Sequence, residues 1–252
     1  MKLAVAIKQV PLRDSSLKIA ASGLWIDESN LQYEINEPDA YALEEALQLR
    51  EKHGGEVVVL CAGPERAGQT IREALAKGAD RAIHVETSDI ALDTLGTARL
   101  LAEAVKDEAP DLILTGLQSD DLGYGQAGVV LAELLGVPHS TIIMQVEIKE
   151  KTLRVKRELE DGWFQHIEMP LPALLTIQSG LNKLRYATLM GIKKAKTKEI
   201  KVVKAAANAA STAAIEKVYA PEKSKQAQIF TGDAKAAAAQ LIEKLKFEAR
   251  VL

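Results

Sequence analysis

Gly123, Gly125 and Gly128 stand in the order G-x-G-x-x-G within GLQSDDLGYGQAG, residues 116–128. At that spacing a tight turn can bring backbone N–H groups onto a pyrophosphate at the start of a helix. Glu147 follows about twenty residues on, where dinucleotide folds carry a ribose-binding acid. The position of the pattern argues against a redox dinucleotide. The motif needs a strand that turns at once into a helix, whereas here the apolar run DLILTG ends near Thr115 and residues 116–122 intervene. It also follows the fourth apolar run; the first enters KQVPLRDSS, which has no glycine. A weaker reading survives. The loop feeds an amphipathic pattern, DLGYGQAGVVLAELLG, so Gly125, Gln126, Ala127 and Gly128 can offer N–H groups to an anion. The helix dipole adds about 0.3–1 kcal/mol to such binding when exposed. A glycine-rich connector with no ligand is the alternative.

Asp120 and Asp121 are neighbours in the chain and point different ways, with no His or third acid close in sequence. They are expected to cap and brace the loop, with contact to a ribose hydroxyl as the next role. Cys61 is the only cysteine, so no internal disulfide can form, and at the end of EVVVLCAGP it reads as a buried structural thiol. His53, His84, His139 and His166 show no ligand spacing, so no metal is expected.

These residues need a scaffold. The 252 residues are 47% hydrophobic and 27% charged, as in a globular domain, and a net charge of −3 provides no field for nucleic acid. Lys193, Lys194, Lys196, Lys198, Lys201 and Lys204 form a basic run without interleaved aromatics. It reads as a solvated face, or as steering for acidic partners. No apolar run reaches the ~18–20 residues of a membrane span. The N-terminal MKLAVAIKQVP has one Lys and no small-residue cleavage site, so it reads as a strand and not a signal. A cytoplasmic setting is expected.

LAVAIKQV (3–10), EVVVLCA (56–62), RAIHV (81–85) and DLILTG (111–116) read as buried parallel strands. Between them lie helical patterns. Pro38 opens one in its first turn and Gly54 closes it. PERAGQTIREALAKGA and DTLGTARLLAEAVKDE repeat the theme. The fold class expected is α/β, a doubly wound, mostly parallel Rossmann-like sheet. Residues 139–177 look like successive strands without helices, with Asp161-Gly162 as a hairpin signal, and should add antiparallel strands at an edge. The expected organisation is a nucleotide-binding domain over 1–200 and an extended arm with a C-terminal helix over 201–252. In that helix Ala238, Leu241, Leu245, Ala249 and Leu252 share a face, with Ile242 beside them and Asp233 near its start. The stripe packs either on its own domain or on a partner subunit.

Several stretches together resemble the electron-transfer flavoprotein beta-subunit family: VAIKQVP, NEPDAYALEEALQL, CAGPERAGQTIREALAKGADRAIHV, GLQSDDLGYGQAG, LRVKRELEDG, LNKLRYATLMGIKKAK and AQLIEKL. The match runs along nearly the whole chain. The resemblance implies an electron carrier with no catalytic residues of its own. It would pair with a larger alpha subunit that holds most of the FAD, and would bind a structural AMP itself. By motif, AMP would lie against Ala6, Asn36, Glu37, Pro38, Asp39 and Ala62, and against the loop through Gly116, Gln118, Asp120, Asp121, Gly123, Gly125, Gln126 and Ala127. Many AMP-binding members carry Asn-Gln-Thr where this chain has Gly125-Gln126-Ala127, so backbone N–H groups would bear more of the phosphate. Flavin-bifurcating relatives hold a second FAD there and show an acid-glycine-acid stretch, where this chain has Ser119-Asp120-Asp121.

Residues 178–196 resemble the family's recognition loop for acyl-CoA and related dehydrogenases, with Leu189 as anchor and Arg185 and Tyr186 beside it. Glu158 matches a glutamate that contacts the alpha flavin domain. Electrons would leave toward a membrane quinone oxidoreductase. A free-standing, universal-stress-like nucleotide-binding protein is the rival from another class, and residues 178–252 are what it would not need.

Overall fold

The computed structural model describes residues 1–87, 92–205, 211–221 and 227–252. Parts of the expected arm, 206–210 and 222–226, lie outside the described residues. The described chain divides into two units, Met1–Lys217 and Val218–Leu252.

The first unit begins with β1 (Lys2–Ala6), the short β2 (Gln9–Pro11) and β3 (Tyr33–Ile35), and α1 (Glu37–His53). Then β4 (Glu56–Gly63), α2 (Ala67–Lys77), β5 (Arg81–Glu86), α3 (Thr94–Lys106), β6 (Leu112–Gly116) and α4 (Ala127–Leu135) alternate. The chain continues through β7 (His139–Lys149), β8 (Thr152–Glu158), β9 (Phe164–Pro170), β10 (Ala173–Ile177), α5 (Leu189–Ala195) and β11 (Ile200–Lys204). Among the described residues, nine strands form one sheet in the order β11-β5-β4-β1-β6-β10-β7-β8-β9. The strands from β11 to β7 are mutually parallel, while β8 and β9 are antiparallel additions. This is the doubly wound α/β fold that the alternating pattern implies.

Each central strand is buried on both faces, and alternate residues serve opposite layers. Leu3, Val5, Val57, Val59, Leu112 and Leu114 pack with α1 and α2 residues such as Leu43, Leu47, Ile71 and Leu75. Ala4, Val58, Leu60 and Ile113 pack against α3 and α4 through Ala98, Leu101, Val105 and Leu131. Cys61 lies fully buried in β4, and burial, together with the nearby Asp39 charge, pushes its thiol up to about 12. At the amino ends of the strands Arg81 binds Glu56 and Glu108, and Lys2 reaches Glu108 as well. That end of the sheet is closed by its own charges.

Three differences from the sequence reading bear on the site. The run 3–10 is not one strand. Ile7 still donates to Leu60 across the sheet (2.9 Å), but Lys8 N–H turns to the Asp39 carboxylate, and β2 leaves to pair with β3. Of the strands in 139–177, β10 sits between β6 and β7 as a parallel member, so the antiparallel edge is β8 and β9 alone. Finally, β11 runs from Ile200, the last residue of the expected domain, into the segment expected to be arm, and pairs in parallel with β5.

The hairpin between β8 and β9 turns at Asp161 and Gly162, both at positive φ (55° and 77°), as tight hairpin turns require. Beyond β11 the chain is held at the start of α3. Asp93 caps Gly96 N–H and also accepts from Thr212 N, Thr212 Oγ1 and Ala213 N at 2.6–3.0 Å. The second unit contains α6 (Ala234–Phe247), capped by the Asp233 side chain on Ala236 N–H (2.8 Å). No residue of α6 is buried, and Leu241 and Ile242 of the expected stripe are exposed. Ala249 and Leu252 fall beyond the helix end.

Candidate functional site

The connection from β1 leads through α1 to β4 on one side, whereas β6 returns to the other side of β1. The carboxyl ends of β1 and β6 therefore flank the point where strand order reverses. Open α/β sheets bind ligands in the crevice at that point. The start of α1 enters this crevice, and its residues stitch the two strands together. Asp39, buried, accepts Lys8 N–H at 2.7 Å through Oδ2 and Gly116 N–H at 2.8 Å through Oδ1. Asn36, also buried, donates from Nδ2 to Gln118 O (2.9 Å) and accepts Asp120 N–H (2.8 Å) through Oδ1. Burial pushes the Asp39 carboxyl up to about 7, against the opposing pull of the Lys8 and Gly116 N–H groups.

The contact is close enough to dictate residue type. A Cβ on Gly116 would lie 2.7 Å from Pro38 Cβ and 2.8 Å from Asp39 N. A Cβ on Gly128, at the start of α4, would lie 2.6 Å from both Thr115 Oγ1 and Thr176 Cγ2. These glycines let helices press onto the sheet. Gly123 and Gly125 serve differently, taking φ of 66° and 63° so that the loop can reverse. Asp120 Oδ2 accepts Glu37 N–H (3.2 Å), and Asp121 accepts from Leu122 N–H (2.8 Å) and from Lys8 Nζ (2.6 Å). Lys8 Nζ also reaches Ser119 Oγ (3.3 Å). Both acids are thus engaged in bracing the loop.

No side chain caps α4, whose N-cap is Gln126 and first residue Ala127, and both are exposed. The N-cap residues of α1 and α2 likewise supply no side-chain cap, whereas α3, α5 and α6 begin under Asp93, Thr188 and Asp233. The donors fit an anion: exposed backbone at a helix start, with no side chain above it. Ala6 ends β1, and Ala62 stands one residue before the end of the neighbouring β4. Hydrogen bonds thus join Asn36, Glu37 and Asp39 to Gly116, Gln118 and Asp120, while Ala6 and Ala62 stand on the adjoining strands. Lys8, inside the motif VAIKQVP, was not singled out by the sequence, yet its Nζ braces the loop through Ser119 and Asp121. Glu147 lies elsewhere, on β7 opposite Arg154.

Glu158 ends β8. Register carries the mouth along the sheet from Gly116 to Ile177, Ile143 and Arg157. Three strand spacings place Arg157, beside Glu158, about 14 Å from Gly116. From that level β7 continues six residues to Lys149 before β8 returns, a wall rising about 20 Å beside the mouth.

The residues expected to dock a partner form a second cluster. Tyr186 is 93% exposed and Leu189 88%, with Met190 and Ile192 also outward. Arg185 faces inward. Its Nε donates to Glu44 at 2.8 Å and its Nη1 to Glu51 at 2.7 Å. The sequence did not indicate α5, which begins at Leu189 itself.

Comparison with known proteins decides the family. Residues 23–208 match the model of the electron transfer flavoprotein domain. The chain is 38% identical to the electron transfer flavoprotein subunit beta of Methylophilus methylotrophus, covering 96% of this chain and 97% of that one. It is 36% identical to the human electron transfer flavoprotein subunit beta, covering 81% of each, and 34% identical to the Bacillus subtilis subunit, covering 95% and 96%. The chain belongs to the electron transfer flavoprotein family, as a beta subunit. Membership carries with it electron transport, association with flavin and an alpha partner, and it displaces the free-standing regulator reading. Among the described residues no helix is long and apolar enough to cross a membrane.

Proposed function

We propose that this chain is the beta half of a heterodimeric electron carrier that holds a structural AMP at its β1/β6 mouth. The observation that carries the reading is the pair of buried side chains, Asn36 and Asp39, that fix the crevice while α4 is left uncapped above it. Backbone N–H groups at Gly125, Gln126 and Ala127 would hold the phosphate. Ala6, Ala62 and the Asn36–Asp39 turn would enclose the base and sugar, with Gln118 and Asp120 at the rim. FAD, held mainly by the alpha subunit, supplies the redox chemistry; this chain positions it and has no catalytic residue of its own.

Tyr186 and Leu189 would dock acyl-CoA or related dehydrogenases as electron donors, and the carrier would pass electrons to a membrane quinone oxidoreductase. A small apolar anchor suits a partner that must leave after each transfer. Glu158, at the foot of the wall beside the mouth, would contact the alpha flavin domain. The arm and α6, with no buried residue of its own, would dock on the alpha subunit.

Acid extraction of the purified heterodimer, followed by analysis for AMP and FAD, tests the mouth. One AMP and one FAD per heterodimer is the expected result. Two FAD and no AMP would overturn the assignment in favour of a bifurcating carrier. For the arm, removal of residues 232–252 should weaken association with alpha in size-exclusion chromatography; an unchanged heterodimer would refute that role.

A further inference from the structure

The docking segment is built differently from an ordinary exposed loop. Each end is fastened by a buried or half-buried group on another element. At the start, Arg185 donates through three nitrogens to Glu44 and Glu51 of α1 at 2.7–3.3 Å, and the Glu44 side chain is only 5% exposed. Just before it, Asn182 Nδ2 donates to Tyr41 O (3.2 Å) and Glu45 Oε2 (3.1 Å). At the far end Arg72 of α2 reaches out with Nη1 to Ala195 O and Lys198 O, both at 2.6 Å. Lys198 Nζ answers by donating to Leu75 O (3.0 Å) and Ala79 O at the end of α2.

Between the fastenings α5 lies directly on α2. A Cβ on Gly191 would fall against the backbone oxygen of Ala76, well inside van der Waals contact. Gly191 is not at a positive φ, so the requirement for glycine comes from this approach alone. Thr188 Oγ1 caps Gly191 N–H at 3.0 Å. The apolar side chains that point outward, Tyr186, Leu189, Met190 and Ile192, thus stand on a backbone fastened at both ends and pressed onto α2.

We propose that Arg185, Arg72 and Gly191 are positioning residues that assemble residues 185–198 into a rigid platform before any partner arrives. This rests on the reading of Leu189 as a dehydrogenase anchor and adds how the anchor is presented. An exposed loop that ordered on contact would spend part of its interface energy on that ordering, and a prebuilt platform does not. Arg185 therefore does not touch the partner; it acts through the backbone that carries Tyr186.

The test uses the alpha–beta heterodimer, reduced by a medium-chain acyl-CoA dehydrogenase and its substrate, with Leu189→Ala, Gly191→Ala, Arg185→Met and Arg72→Met compared. Gly191→Ala alters no outward side chain, yet it must lift α5 from α2. It should raise the KM for the flavoprotein about ten-fold, the cost of immobilising one or two side chains, with kcat and FAD content unchanged. Arg185→Met should act in the same direction, and Arg185→Lys should restore part of the loss. If Gly191→Ala does not fold, Arg72→Met carries the same expectation. A raised KM for Leu189→Ala with wild-type KM for the three positioning variants would overturn the platform and leave the anchor standing. Wild-type kinetics for Leu189→Ala would instead refute the anchor. Hydrogen exchange then decides the platform alone: slow exchange of amides 191–195, which are hydrogen-bonded from Gly191 on, is expected in the free wild-type heterodimer, and fast exchange there overturns it.

Discussion

The proposed nucleotide mouth and the proposed docking platform both hang from α1, yet the helix holds them with different chemistry. At the mouth a carboxylate receives neutral backbone dipoles: Asp39 takes the N–H groups of Lys8 and Gly116. At the platform carboxylates receive a full positive charge, as Glu44 and Glu51 take the Arg185 guanidinium. The first arrangement leaves a buried charge only partly compensated. The second compensates it and fixes direction with a planar fork. One helix therefore carries one region that resists losing its proton and another that depends on being ionised.

The largest expected effect follows from the sign of that difference. The Asp39 carboxyl in the folded chain sits at about 7, against 3.8 ordinarily. The unfolded chain releases this proton first. Stability from Asp39 is thus fully present below about pH 4 and is lost as pH rises through 7, by up to about 4 kcal/mol. Asp39→Asn should flatten that slope; urea midpoints measured at pH 4.5, 6 and 7.5 that fall in parallel with the wild type would break the comparison. Next is Gly116→Ala, whose Cβ meets backbone and Pro38 with nowhere to go. It should cost about 3 kcal/mol and abolish nucleotide retention, while the platform stays intact. A variant that retains AMP would show that the mouth is looser than its contacts imply.

Arg185→Met should cost about 2 kcal/mol, the loss of hydrogen bonds to charged groups with Glu44 left buried. Its pH dependence has the opposite sign to that of the mouth. The Arg185 hydrogen bond holds the Glu51 carboxyl below its ordinary 4.5, so that contribution is present above about 4.5 and is lost as pH falls. Thermal melts at pH 4 and 7 would separate the two regions: the platform loosens toward acid, the mouth toward neutrality. The smallest effect belongs to a carboxylate outside both. Asp93→Ala removes a helix cap worth about 1 kcal/mol and frees residues 211–213. Limited proteolysis should cut there first, and an unchanged digestion pattern would argue against the tether. Acid should not mimic that change at pH 4, since the Gly96, Thr212 and Ala213 hydrogen bonds hold Asp93 down to about 2.

The sequence makes the central sheet legible, because β1, β4, β5 and β6 are nearly continuous apolar runs, with His84 the one interruption inside β5, and two-sided burial demands such runs. It also makes the mouth legible, since Gly116–Gly128 must follow the fourth strand and Asn36–Asp39 must start the first helix. The platform was legible only as a motif. Its fastenings pair residues far apart in the chain, Arg185 with Glu44 and Arg72 with Lys198, and no local pattern announces such pairs. Gly191 looked like any glycine in a loop, because its reason lies in a neighbouring helix. The strand β11 was hidden by its lysines. IKVVK sits at the sheet edge with most of its residues exposed, so it shows none of the apolar density by which a buried strand is known.

Cys61 gives the molecule a clock of its own. The thiol is the chain's only one, is enclosed in β4 next to Ala62 at the mouth, and is held in the unreactive protonated form. A water-soluble disulfide reagent can reach it only when the central strands part. The labelling rate therefore counts openings of the sheet itself. Any ligand that settles over the mouth should slow that count in proportion to how firmly it ties β1 to β6.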